Sequence, residues 1–97
     1  MTLDDFQQLI ERMYSEKDRR RGPAGTFLWL SEEVGELAAA IAEGTREEQA
    51  AELADVLAWL ATLANVLDVN LTQAAQAKYG SGCPGCGKYV CTCDAKP

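Results

Sequence analysis

Two short acidic runs carry most of the chemistry this sequence could perform. One is Glu32-Glu33-Val34-Gly35-Glu36, and the other is Glu52-Leu53-Ala54-Asp55. Each sets two carboxylates three positions apart inside an otherwise apolar helical pattern. Glu33 with Glu36, and Glu52 with Asp55, then share a helix face, with Cβ atoms about 5–6 Å apart. The turn Glu43-Gly44-Thr45 between the runs would let two helices pack antiparallel, so that four carboxylates converge on one point. Like charges so placed repel and raise one another's pKa unless a cation lies among them. One such pair alone reads as an ordinary solvated helix face. The repetition of the pair, and the setting of Glu52 and Asp55 among Leu, Ala and Val, favour a ligand.

All-oxygen ligands suit a hard cation, Mg²⁺ or Mn²⁺. Bound to a di- or triphosphate, such ions would neutralise the phosphates, polarise phosphorus–oxygen bonds and acidify an attacking water. A carboxylate not fully used by metal would orient that water or take its proton. Glu32 and Glu36 are the candidates, and the sequence does not choose between them. The chain has no histidine, which removes imidazole acid–base chemistry and argues against a Glu-x-x-His di-iron bundle. Trp29 shares a face with Glu33 and Glu36 and is a candidate to stack on a base; a partly buried core tryptophan is the alternative, and Trp59 has the same two readings.

A second constellation lies at the C-terminal end. Cys83-Pro84-Gly85-Cys86-Gly87 is followed by Cys91-Thr92-Cys93, and these are the chain's four cysteines. Four thiolates in a Cys-x-x-Cys-Gly knuckle suit tetrahedral Zn²⁺, with Zn–S distances of about 2.3 Å. The second pair, Cys-x-Cys, is tighter than usual. An iron–sulfur cluster or a redox pair at Cys83 and Cys86 are the alternatives, the latter without the strand that normally precedes it. A structural Zn²⁺ on Cys83, Cys86, Cys91 and Cys93 is the expectation.

The elements that must position these groups read as helices throughout. Alanine is abundant and β-branched residues are few. Thr2, with Asp5, caps a first helix whose Leu3, Phe6, Leu9 or Ile10, and Met13 should face the core. That helix is expected to fade in Lys17–Arg21, before Gly22, Pro23 and Gly25. The three arginines read either as a solvated helix end or as a loop reaching over an anion. A second helix should start near Thr26 and run to Glu43, with Phe27, Leu30, Val34, Leu37 and Ile41 as its apolar stripe. Gly35 inside it would admit a close neighbour or ligand, and Gly44 would cap it. Thr45, with Glu48, opens a third helix, alanine-rich and apolar on two sides, which fits a subunit interface. Asn70 caps a short fourth helix ending at Gly80. The expected architecture is all-α: an antiparallel helical hairpin completed to a bundle by oligomerisation, with residues 1–80 as the helical domain and 81–97 as a zinc-binding tail.

The 97 residues are 47% hydrophobic, enough for one small domain that metals or partner subunits would support. A formal net charge of -6 argues against a broad nucleic-acid or membrane surface. No apolar run reaches transmembrane length, and the N-terminus is acidic where a signal peptide needs an apolar stretch, so the cytoplasm is the expected location.

The run Leu30-Ser31-Glu32-Glu33-Val34-Gly35-Glu36-Leu37, then Glu52-Leu53-Ala54-Asp55-Val56-Leu57, resembles the MazG-type nucleoside triphosphate pyrophosphohydrolases of the all-α NTP-pyrophosphatase superfamily. Their signature is Glu-Glu-x-x-Glu, a spacer, then Glu-x-x-Asp. The resemblance covers roughly Leu3 to Tyr79. It implies that Glu33, Glu36, Glu52 and Asp55 bind magnesium, and that Glu32 matches the first glutamate. It further implies cleavage of a nucleoside triphosphate between the α and β phosphates, giving monophosphate and pyrophosphate. Asn70 and Lys78 match a polar residue and a lysine of the last helix, Asn70 replacing the more usual aspartate. Lys78 would then contact phosphate, a helix-end lysine being the alternative. Dimers or tetramers, with sites built from more than one subunit, are implied as well. The competing expectation is a non-enzymatic helical interaction module with a structural zinc tail.

Overall fold

Thr2 fixes where the first helix begins. In the computed structural model, which describes residues 1–97, its hydroxyl accepts the Asp5 N–H at 3.0 Å. The Asp5 carboxylate accepts the Thr2 N–H at 3.0 Å in return, so two otherwise orphaned donors are satisfied. Helix α1 then runs Leu3–Glu43 and is broken once, at Gly22 (φ 80, ψ 175). That backbone conformation is open to glycine and strained for other residues. Pro23 follows as the first residue of the resumed helix, where a missing N–H is no loss.

The break is narrower than the sequence implies. The helix holds through Arg21 and resumes at Pro23, three residues before the expected start at Thr26. The arginines are held in place instead of fraying. Arg19 pairs with Glu11 at 2.7 Å, Arg20 with Glu16 at 3.0 Å and Arg21 with Asp18 at 3.0 Å.

Helix α2, Arg46–Val66, is capped by the Thr45 hydroxyl, which accepts the Glu48 N–H at 3.2 Å. Gly44 joins the two helices without a left-handed φ. It is needed for room, since a Cβ there would lie 2.8 Å from the Ala40 carbonyl oxygen. Helix α3, Leu71–Tyr79, is capped by Asn70, whose Oδ1 accepts the Gln73 N–H at 2.8 Å. Residues 81–97 form turns and bends with no helix. The chain is therefore all-helical, with a cysteine cluster at its C-terminal end. No single helix is long and apolar enough to cross a membrane.

Helix α2 returns antiparallel along the second half of α1. Gln49 donates to the Ala40 carbonyl at 3.2 Å near the turn, and Trp59 stacks on Trp29 further along. The first half of α1 crosses to the far end of α2, where buried Gln7 acts as a clasp. Its side-chain N–H groups reach Asn65 Oδ1 at 2.9 Å and the Val69 carbonyl at 2.7 Å. Its oxygen accepts the Leu71 N–H at 2.8 Å. These bonds tie α1, the end of α2 and the start of α3 together.

The packing corrects the expected core. Contacts between α1 and α2 run through small residues, and Ala40, Ala61, Ala64, Thr26 and Thr62 are buried. Of the larger apolar residues only Ile10 is buried, whereas Phe27, Ile41 and Leu53 are 56%, 65% and 58% exposed. Leu3 and Met13, expected inward, are exposed as well, because Gln7, Ile10 and Asp18 occupy the inner face of α1. Small side chains let the two backbones approach and push the larger ones to the flanks, where a single chain has nothing to set against them. Gly35 has nothing of its own chain within 4 Å of where a Cβ would be, so the space it leaves is open.

Candidate functional site

The antiparallel return of α2 brings the two acidic runs together. Carboxylate oxygens of Glu33 and Glu36, on α1, and Glu52, on α2, lie within 4.8 Å of one another. Glu33 Oε2 and Glu52 Oε2 are buried without any hydrogen-bond partner. Burial, then the charges of Glu36, Asp55 and Glu52, raises the Glu33 carboxyl above its ordinary value. Burial, then Glu36 and Asp55, does the same to Glu52. Three carboxylates meet tightly where four were expected. Asp55 lies outside this tight set, exposed, one helical turn beyond Glu52, and near enough for its charge to act on both Glu33 and Glu52.

Two cavities lie beside the acidic residues, one at the cluster and one at Asp55. One of about 450 Å³ is lined by Glu36 and Glu52 and continues to Glu43 and Glu48 at the turn. The other, about 360 Å³, lies between α2 and the first half of α1 and is lined by Asp55, Trp59, Tyr14 and Asp18. Glu32 is exposed and stands outside the carboxylate cluster. The donor set fits a hard divalent cation: it is all oxygen, it is self-repelling, and two of its oxygens have lost water without gaining a partner.

Trp29 is 48% exposed, and its ring stacks on Trp59 with centroids 5.9 Å apart and planes 14° from parallel. The Arg21 guanidinium carbon sits 4.7 Å from the centre of the Trp59 ring. Arg21 is fixed there by Asp18 at 3.0 Å and by the hydroxyl of fully buried Thr26 at 3.2 Å. The arginine run is therefore three separate contacts, of which only Arg21 reaches the tryptophans. Sequence reasoning missed Asp18. Its signal was an opposite charge three residues before Arg21, on the face that also carries Ile10. Lys78 is exposed in the last turn of α3, with its ammonium 5.8 Å from the Tyr79 ring centre. It does not line either of the two cavities.

In the tail, ligand atoms of Cys83, Cys86, Cys91 and Cys93 lie within 4.8 Å of one another, and all four thiols are free. Backbone N–H groups of Thr92 and Lys88 lower the Cys86 thiol to about 6. A hydrogen bond with Cys91, then burial, pushes Cys93 up to about 11. Four sulfurs gathered this closely, with one already acidic, fit a thiolate-binding metal.

No curated protein matches the chain at a significant level. The family model for the MazG nucleotide pyrophosphohydrolase domain matches residues 21–86, which takes in both acidic runs, the Trp29–Trp59 pair and the first two cysteines. With that span and the acidic cluster in place, the chain belongs to the MazG nucleotide pyrophosphohydrolase domain family.

Proposed function

We propose that the protein hydrolyses nucleoside triphosphates to monophosphate and pyrophosphate, using Mg²⁺ or Mn²⁺ held by Glu33, Glu36, Glu52 and Asp55. The observation that carries this reading is the convergence of Glu33, Glu36 and Glu52, with buried, unpartnered oxygens on two of them. Divalent metal at this place supplies charge neutralisation for the phosphate oxygens and acidity for a water. Glu33 and Glu52 hold their carboxylates in fixed, partly desolvated positions, and Glu36 closes the set from the solvent side. Glu32, exposed and outside the cluster, is the carboxylate free to take the proton as a water oxygen bonds to phosphorus. The bridging oxygen between the α and β phosphates then leaves with pyrophosphate. The stacked Trp29–Trp59 pair is the aromatic surface offered to the base.

Supporting arrangements follow from the same fold. The exposed apolar flanks of the hairpin are suited to a second copy of the chain, giving a dimer or tetramer. Lys78 would reach substrate phosphate in such an assembly. Zn²⁺ on the four cysteines would close the tail, and free thiols in that role suit a reducing cytoplasm.

A direct product assay tests the reading. With Mg²⁺ and a panel of nucleoside triphosphates, monophosphate and pyrophosphate are expected in equal amounts. Glu36→Gln should lose turnover and divalent-metal affinity together. Glu32→Gln should lower kcat by about 100-fold or more, within the range of a proton-accepting group, and leave metal affinity in place. Orthophosphate as product would overturn the cleavage position. The competing reading, a helical interaction module, draws on Tyr89, 86% exposed beside exposed Val90 at the tip of the cysteine loop. It predicts no turnover from a folded, metal-loaded protein.

A further inference from the structure

Asp18 is 4% exposed, and the cluster described above makes no use of it. It sits on α1 one turn before the break at Gly22, upstream of the family-matched residues 21–86. Its Oδ1 accepts from Arg21 at 3.0 Å, while its Oδ2 is buried with no donor at all. A carboxylate oxygen withdrawn from water and left unpaired is destabilising unless something else donates to it.

Asp18 lines the cavity of about 360 Å³ whose other walls include Ile10, Tyr14, Trp59 and Asp55. That volume lies in the range of small-ligand sites. Asp55 belongs both to this cavity and to the surroundings of the acidic cluster, so the cavity adjoins the place where phosphates would be held. Its lining is mixed: Ile10, Tyr14, Ala58 and Trp59 give apolar and aromatic wall, Lys17, Arg21, Asp55 and Thr62 give polar wall, and Asp18 Oδ2 is the buried acceptor left without a donor. The nearest strong donor, Arg21, is committed to Asp18, Thr26 and the Trp59 face. Lys17 lies at the rim, exposed and without a bond to Asp18.

We propose that Asp18 reads the nucleobase, its Oδ2 accepting a hydrogen bond from an exocyclic amine of a base held in the cavity that Tyr14 and Trp59 line. The inference builds on the nucleotide-hydrolase reading above. Cytosine and adenine carry an amine at the pairing edge, where uracil and hypoxanthine carry a carbonyl. A carbonyl oxygen facing Oδ2 would meet a second acceptor and leave both unpaired. The protein should therefore favour CTP over UTP, and ATP over ITP, by about 100-fold in kcat/KM, a discrimination within reach of a buried hydrogen-bonding site.

Asp18→Asn provides the decisive contrast. The amide keeps the size of the side chain, and its oxygen can still accept from Arg21. Its NH₂ then takes the Oδ2 position and donates where the carboxylate accepted. The variant should reverse the preference, turning over UTP faster than CTP. A residue that only anchored Arg21 would alter stability or overall rate without reversing the order of bases.

The experiment measures kcat/KM for the four triphosphates with the native full chain and Asp18→Asn, alongside CMP and UMP binding followed by tryptophan fluorescence. Amine preference in the native protein, reversed in the variant, is the expected result. If the variant does not fold, native CTP-over-UTP and CMP-over-UMP preferences support the assignment, and their absence overturns it. Equal turnover of amino and keto bases overturns the role of Asp18 and leaves the hydrolase reading standing. No turnover, with CMP still bound more tightly than UMP, overturns the hydrolase reading and leaves Asp18 as the base reader. No turnover and no base preference overturns both.

Discussion

Glu33 and Glu52 govern how the metal-free fold responds to pH. Both carboxyls sit above the ordinary value of 4.5, first through burial and then through neighbouring charges, Glu36 and Asp55 foremost. The folded state thus binds these protons more tightly than the unfolded state does. Stability from this source is present at low pH and is lost as pH rises from 4.5 through the raised folded values. At neutral pH the cluster strains the fold unless a cation occupies it. Glu33→Gln should therefore raise the Tm of metal-free protein at neutral pH by a few degrees, in keeping with about 1 kcal/mol or less in a domain of this size. It should also flatten the rise in Tm that these two carboxyls would contribute on acidification. With saturating Mg²⁺ the order should reverse, because the native protein gains a bound ion and the variant has given up a ligand charge. Thermal melts at acidic and neutral pH, with and without Mg²⁺, check all three expectations. A Glu33→Gln protein that gains nothing without metal would show that the three carboxylates do not repel one another in solution.

At the scale of elements, Gly22 decides how the long helix divides. Its positive φ and extended ψ suit glycine, and nothing lies within 4 Å of an added Cβ. Gly22→Ala should then cost about 1–3 kcal/mol from backbone strain alone, read as a lower midpoint in urea with an unchanged slope. A loss far below that range would show that the break can shift to Gly25. The caps were legible in the sequence because cap and responder are three residues apart and both chemically specific: Thr2 with Asp5, Thr45 with Glu48, Asn70 with Gln73. The pairing of the acidic runs was legible for the same reason, as was the cysteine cluster. What was not legible depends on how helices rotate against one another. That rotation leaves Asp55 outside the tight set, turns Ile41 and Leu53 outward, and carries Gln7 and Asp18 inward against their usual preference for water. The true limit of the break was also hidden, because Arg19 finds its partner two turns back at Glu11.

The whole molecule has a small interior for its apolar content. Only eight of 97 residues are buried, while large side chains such as Phe27, Leu28, Ile41 and Leu53 remain exposed. Assembly is the economical way to cover them, and Leu53→Glu tests it. The native protein is expected to sediment as a dimer or larger, and the variant to shift towards a single chain at micromolar concentration and lose turnover with it. A native protein that sediments as one chain at all concentrations would end the assembly reading. The tail should behave as a separate clip. Chelation of zinc should expose all four thiols to a thiol reagent while the helical far-UV signal falls by less than about a tenth, since residues 81–97 hold no helix. Collapse of the helical signal on chelation would instead make the cysteine cluster a support of the whole fold.

The stack of Arg21, Trp59 and Trp29 has an optical consequence. The chain has two tryptophans, both lie in this stack, and Trp59 lines the cavity of Asp18. Two indoles this close couple their strong short-wavelength transitions, so the far-ultraviolet circular dichroism should carry a paired, opposite-signed contribution beside the helical signal. A ring inserted beside Trp59 would change that contribution and the emission yield together. Because tyrosine emits at shorter wavelength, the red edge of the protein's fluorescence comes from this one place, and occupancy there can be followed without a label.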